Sequence, residues 1–162
     1  MLKKICIPVL MLFVSMQTHA AEKVSPELLQ LLAKEGQMSS GDVVYVDFWA
    51  SWCAPCRKSF PWMNEMLSKY QSQGFKVLAV NVDKERELAD KFLSSIDINF
   101  PVFYDPEGKL AQQFKLKGMP SSFIVNSDGV ILKAHKGFFD AKIDAYEQEI
   151  RDIVAITARS SK

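Results

Sequence analysis

The sequence predicts an α/β fold in three layers, a central mixed β-sheet with helices on both faces, and three observations predict it. Residues 43–49 and 75–82 are near-continuous apolar runs, rich in β-branched and aromatic residues, of the length and type expected of strands buried on both faces. Between them Cys56, Phe60, Met63, Leu67 and Tyr70, spaced 4, 3, 4 and 3, form one stripe of a helix, and a helical crossover makes the two strands parallel. Asn126-Ser127-Asp128-Gly129, flanked by the extended runs 121–125 and 130–134, marks an antiparallel hairpin.

Taken in order, residues 1–20 read as a secretory signal peptide. Lys3 and Lys4 form a basic start, residues 5–14 are an apolar run of ten, and Thr18 and Ala20 are small residues at positions −3 and −1 of a cleavage site. Ten apolar residues fall short of the roughly 20 that span a bilayer as a helix, so no stable membrane anchor is expected after cleavage. Removing 20 of 162 residues leaves 142, one domain's worth, and with Lys3 and Lys4 gone the formal charge passes from +1 to −1. That balance gives no reason to expect nucleic acid or an anionic membrane surface as a partner. Of three cysteines Cys6 leaves with the signal, so the mature chain keeps one close pair, Cys53 and Cys56, rather than the spread of cysteines that staples small secreted domains.

Residues 21–39 form an N-terminal helical extension and residues 40–162 the main domain. In the extension Ser25 is placed as an N-cap, Pro26 at the first helical position and Glu27 in the first turn, Gly36 ends the helix, and Leu28, Leu29, Leu31 and Leu32 cover the sheet. After the second strand Asp83 is expected to cap a helix carrying Leu88, Phe92 and Ile96. Residues 101–104 form a short extended run closed by the turn Asp105-Pro106-Glu107-Gly108, and residues 109–117 one short helix with a solvated lysine face. Asp140 is expected to cap the last helix, where Ile143, Tyr146, Ile150, Ile153 and Thr157 repeat at 3, 4, 3 and 4.

The chemistry sits where the first strand meets its helix. The first turn of a helix presents unpaired N–H groups and the positive end of the macrodipole, and both favour a thiolate at Cys53. Cys56 is one turn away, placed to attack a mixed disulfide formed at Cys53. Pro55 fits the first turn, where an N–H is not needed. Asp47 interrupts an otherwise apolar strand, and a lone carboxylate there is costly to ionise, which predicts a raised pKa. A structural disulfide and a half metal site are the alternatives for the cysteines. Zinc needs about four ligands, against two thiols and the distant His135, which reads as an exposed strand residue. No metal site and no cofactor are expected.

The run Val46-Asp47-Phe48-Trp49-Ala50-Ser51-Trp52-Cys53-Ala54-Pro55-Cys56-Arg57 resembles the active-site segment of the thioredoxin superfamily, and Lys58-Ser59-Phe60-Pro61-Trp62-Met63-Asn64 is similar to its secreted TlpA-like branch. Asp47 matches the family's buried acid, Pro61 the proline of its active-site helix, and Gly118-Met119-Pro120-Ser121-Ser122-Phe123 the segment holding its cis-proline. The resemblance covers residues 40–158 and implies a thioredoxin-like three-layer fold. It also implies that Met119 offers its backbone to an extended substrate beside Cys53. Trp52 is expected at that substrate surface and Trp49 in the core. Thioredoxins often set a lysine near the buried acid; the matching position here is Ala79. The hairpin common at the N-terminus of the branch is replaced by the helix after Ser25.

These readings converge on a secreted, periplasmic thiol-disulfide oxidoreductase with Cys53 as nucleophile, Cys56 as resolving thiol and Asp47 as proton acceptor. Ala54-Pro55 adds no donor that would stabilise the thiolate, which favours a reductase of protein disulfides, and in an oxidising compartment a reductase needs a membrane electron donor. The resemblance implies clients in cytochrome c maturation or copper-site assembly. The alternative is a thioredoxin-like chaperone or metallochaperone holding copper or a client without turnover. Peroxide reduction would need a tuned pocket that the sequence does not advertise.

Overall fold

A computed structural model describes residues 22–160; the signal peptide reading and Cys6 fall outside them. The first helix, α1 (Pro26–Glu35), opens on Ser25, whose Oγ accepts from the Leu28 N–H at 3.2 Å. It ends at Gly36, where a Cβ would lie 2.6 Å from the Leu32 carbonyl oxygen and 3.0 Å from a Val44 methyl, so glycine lets the helix end descend onto the sheet. β1 (Val43–Trp49) comes next and is buried at every residue. After α2 (Ala54–Tyr70) the chain turns at Gly74, whose φ of +87° belongs to glycine, into β2 (Phe75–Asn81). Then come α3 (Arg86–Leu93), β3 (Val102–Tyr104), α4 (Lys109–Gln113), β4 (Ser121–Asn126), β5 (Ile131–Lys136) and α5 (Ile143–Ser160).

The five strands lie in the order β3-β2-β1-β4-β5. β1 is parallel to β2 and antiparallel to β4, so the sheet is mixed and β1 is its centre. Alternation along β1 splits the core in two. Val43, Tyr45 and Trp49 pack with residues of α2, α3 and α5, and Val44, Val46 and Phe48 pack with Leu28 and Leu32 of α1, Leu110 of α4 and Phe114. The three layers result from that alternation, since each face of a doubly apolar strand must be covered.

Four local expectations are corrected. Asp83 does not cap α3, which starts at Arg86, because its carboxylate is taken by the Ser51 N–H and Oγ and by Asn81 Nδ2. Leu88 is 45% exposed while Ala89 and Phe92 are buried, and Ile96 lies beyond the helix; a spacing of four advances about 40° per step and leaves the core face. The helix at residues 109–117 stops at Gln113, turning at Lys115 with φ 51°. Asp140 starts a 3-10 turn without capping it and pairs with Lys58 Nζ at 2.7 Å.

Leu32, fully buried under the sheet, tests whether α1 is structural. Leu32→Ala should lower stability by about 2–5 kcal/mol in urea unfolding, whereas Leu88→Ala, at the exposed position, should stay within about 0.5 kcal/mol.

Candidate active site

β1 ends at Trp49 and the chain turns through residues 50–52 into α2. The Cys53 N–H donates to the Ala50 carbonyl at 3.0 Å and the Cys56 N–H to the Cys53 carbonyl at 3.1 Å, which sets Cys53 as the N-cap residue in extended conformation. Its side chain makes no capping hydrogen bond, and its N-cap position sets the residue at the positive end of the helix dipole. Cys53 and Cys56 are both buried and joined in a disulfide, with Cα atoms 5.4 Å apart. Pro55 sits in the first turn and Pro61 lies inside the helix, where it withdraws one N–H from the ladder.

Aromatic packing holds this turn. Trp49 is fully buried against Phe60 and Phe92, with ring centroids 5.1 and 4.8 Å away, and Phe60 continues to Phe100 at 5.6 Å. Trp52 is 70% exposed beside Cys53. The Met119–Pro120 bond is cis, as the resemblance implies. β4 pairs Ser121 with Phe48, so continuing the register sets Pro120 opposite Trp49, the last residue of β1, and Met119 opposite the turn that delivers Cys53. The Pro120 carbonyl accepts from the Gly137 N–H at 2.8 Å, which ties this loop to the end of β5.

Asp47 is 1% exposed, on the side of the sheet that holds Cys56 and α2, and its Oδ2 has no hydrogen-bond partner among the described residues. Burial holds its carboxyl well above the ordinary carboxylate range. Its neighbour on β2 is Ala79, so no cation offsets the burial from that strand. On β4 its neighbour is Ser122.

His135 is not the exposed strand residue that the sequence predicts. Its side chain is 15% exposed, with Nε2 2.8 Å from Glu149 Oε2, Nδ1 3.5 Å from Ser122 Oγ and its ring 4.9 Å from that of Tyr146. Ser122 also accepts from the Tyr45 hydroxyl at 2.7 Å. Sequence reasoning missed this group because it depends on hairpin register. Alternation along each strand does not show which strand lies opposite, and only the pairing puts Ser122 beside Asp47 and His135 beside Ser122, all three on one face. No cluster of three or more His, Cys, Asp or Glu residues with metal-binding geometry occurs among the described residues. A groove of about 490 Å³, lined by Asn126, Leu132 and Ile153 among others, lies away from the cysteines, by the hairpin turn.

The AhpC/TSA family profile matches residues 11–134. The thiol-disulfide oxidoreductase ResA of Bacillus subtilis is 33% identical over 97 residues, 60% of this chain and 54% of that protein. ResA of Oceanobacillus iheyensis is 29% identical over 133 residues, 82% of this chain and 66% of that protein. The chain thus spans between about half and just under two thirds of the curated relatives it matches. Among solved structures, a Chlorobium tepidum protein assigned as thiol:disulfide interchange protein DsbE superposes with a TM-score of 0.70 at 46% identity, covering 76% of this chain and 84% of that one. StoA of Bacillus subtilis gives a TM-score of 0.59 at 25% identity, covering 68% and 83%.

The raised pKa of Asp47 makes stability depend on pH. The folded chain holds this proton to higher pH than the unfolded chain does, so the contribution is complete below the unfolded pKa of about 4 and is lost as pH rises through the folded value. Urea unfolding of the oxidised protein should show stability falling across that window by up to about 1.4 kcal/mol per pH unit. Asp47→Asn should remove this component of the slope; an unchanged slope would mean that the carboxyl ionises as it does in water.

Proposed function

This chain belongs to the AhpC/TSA family, within the thioredoxin superfamily, and on that premise we propose that it is a secreted thiol-disulfide oxidoreductase that reduces protein disulfides. The observation that carries the reading is the Cys53–Cys56 disulfide at the opening turn of α2, with exposed Trp52 and the Met119–Pro120 loop around it.

In the reduced protein the Cys53 thiolate attacks one sulfur of a client disulfide, forming a mixed disulfide and releasing the other client sulfur as a thiolate. Cys56 then attacks Cys53 Sγ, which re-forms the Cys53–Cys56 bond and releases the second client sulfur. Two electrons pass from this pair to the client. Asp47, on the same side of the sheet as Cys56, takes the Cys56 proton as its sulfur attacks. Trp52 and the backbone of Met119 hold the client chain as an added extended segment.

Ala54 and Pro55 give the Cys53 thiolate no side-chain donor, which supports the reducing direction. The signal reading of residues 1–20 supports a periplasmic location, and there a membrane electron donor would restore the dithiol. The clients are proteins whose cysteines must be reduced before haem or copper is attached, the class that the TlpA-like resemblance implies.

Cys56→Ser should accumulate a mixed disulfide with a protein substrate, detected by mass, and Cys53→Ser should not. The couple should have a potential near the reducing end of the superfamily, about −270 mV; a value near about −120 mV would make the protein a disulfide donor instead. Copper bound at one per chain and lost in Cys53→Ser, with no trapped intermediate in Cys56→Ser, would favour a metallochaperone, and rapid consumption of hydrogen peroxide would favour a peroxidase.

Asp47→Asn should slow the second step, release of the reduced client, by about 100-fold while leaving attack by Cys53 intact. Stopped-flow single turnovers separate the two steps, and unchanged resolution would remove Asp47 from the mechanism.

A further inference from the structure

Asp47 faces a conflict in this reaction. Its carboxyl must be ionised to accept the Cys56 proton, yet burial favours the protonated form, so one proton has to leave the interior for every resolution. Nothing on β2 carries one, because the neighbour there is Ala79.

The other side differs. Asp47 pairs with Ser122 on β4, and Ser122 pairs with His135 on β5. Directly opposite residues of antiparallel strands point to the same face with Cβ atoms about 4.5–5.5 Å apart. Asp47, Ser122 and His135 therefore form one row across three strands, and it ends at Glu149, which is 33% exposed and 2.8 Å from His135 Nε2.

Asp47 stands opposite Ser122 in register without a hydrogen bond to it, and the hydrogen bonds from Ser122 outward have a direction. Tyr45 donates its hydroxyl proton to Ser122 Oγ at 2.7 Å, so the Ser122 proton is free to point elsewhere. Glu149 accepts from His135 Nε2, which leaves Nδ1 of the neutral ring as an acceptor, 3.5 Å from Ser122 Oγ.

We propose that Ser122 and His135 relay protons between the buried Asp47 carboxyl and solvent at Glu149, and so set how fast Cys56 can resolve a mixed disulfide. The inference rests on the oxidoreductase reading. When Cys56 attacks, its proton moves to Asp47, the Cys53–Cys56 bond forms and the client thiolate leaves. The Asp47 proton then passes to Ser122 Oγ as Ser122 gives its own to His135 Nδ1, and His135 gives the Nε2 proton to Glu149 and water. One proton reaches solvent and every group returns to its starting state once the Ser122 hydroxyl and the ring tautomer reset. Ser122 and His135 act through Asp47, not on sulfur.

The groups around His135 are Ser122 on β4, Tyr146 and Glu149 on α5, and Lys133 on its own strand, whose Nζ is 3.9 Å from Glu149; beyond Ser122 stand Tyr45 and Asp47 on β1. Any pH dependence of the relay belongs to this set.

The test uses glutathione disulfide, from which one glutathione is released when Cys53 attacks and the second when Cys56 resolves. Ser122→Ala and His135→Gln should each slow the second release by about 100-fold, leave the first unchanged and flatten the pH profile of the second. Ser122→Thr, which returns the hydroxyl, should recover most of the rate; a merely structural role for Ser122 would not tie rate to the hydroxyl. Unchanged second-release rates and pH profiles in both Ser122→Ala and His135→Gln would overturn the relay. An independent readout is the NMR titration of the His135 ring, which should shift in Asp47→Asn; superimposable curves would break the link between the two residues. If Cys53 attacks no disulfide in the unmutated protein, the oxidoreductase reading fails, and the NMR comparison alone then decides whether Asp47 and His135 are coupled.

Discussion

β1 is buried on both faces along its whole length, and the other elements are placed by the need to cover one of those faces or to pair one of its edges. Its hydrogen bonds are completed by β2 and β4, which leaves no edge open to water. Its two apolar faces need separate cores, which brings α1 and α4 to one side and α2, α3 and α5 to the other. A strand fixed this firmly delivers the segment after it to a defined place. That segment is the Cys53 turn.

The same burial gives Asp47 its chemistry. In a strand edge open to water the carboxyl would ionise as it does in solution. Between Ala79 and Ser122, with an Oδ2 that no group among the described residues satisfies, the charged form loses its hydration and gains little in return. Position 79 carries no cation, and the polar neighbour of this acid in register is on β4. Ser122, His135 and Glu149 lie there, and together they lead from the sheet interior to the surface beside α5.

The surface near the cysteines is built from rigid parts. The cluster of Trp49, Phe60, Phe92 and Phe100 anchors the opening turn of α2 from beneath, and the Arg57 guanidinium stacks over Phe92 with its carbon 4.5 Å from the ring centre. Lys58 on α2 and Asp140 after β5 join the helix to the far end of the sheet. Trp52 alone of the three tryptophans is left in solvent.

Much of this was legible in the sequence because it depends on local patterns. Apolar runs gave β1 and β2 within a residue or so, the Ser25-Pro26 start gave α1, and the Asn126–Gly129 turn gave the hairpin. The cysteines, Asp47, Trp52, Met119 and Pro120 stood out because each breaks or punctuates such a pattern, or matches a motif of the thioredoxin superfamily. The failures share one cause. Asp83 and Asp140 had the right residue type to cap helices but were drawn to Ser51 and Lys58, partners far away in sequence. His135 read as exposed because an alternating edge strand is ambiguous until its neighbour is known. The sequence by itself determined which segments are strands and helices and that a close cysteine pair opens a helix, since periodicity and helix-end signals act over a few residues. Only the tertiary structure decided what stands beside Asp47, because strand register and the packing of α5 over β5 bring together side chains from positions 45 to 149.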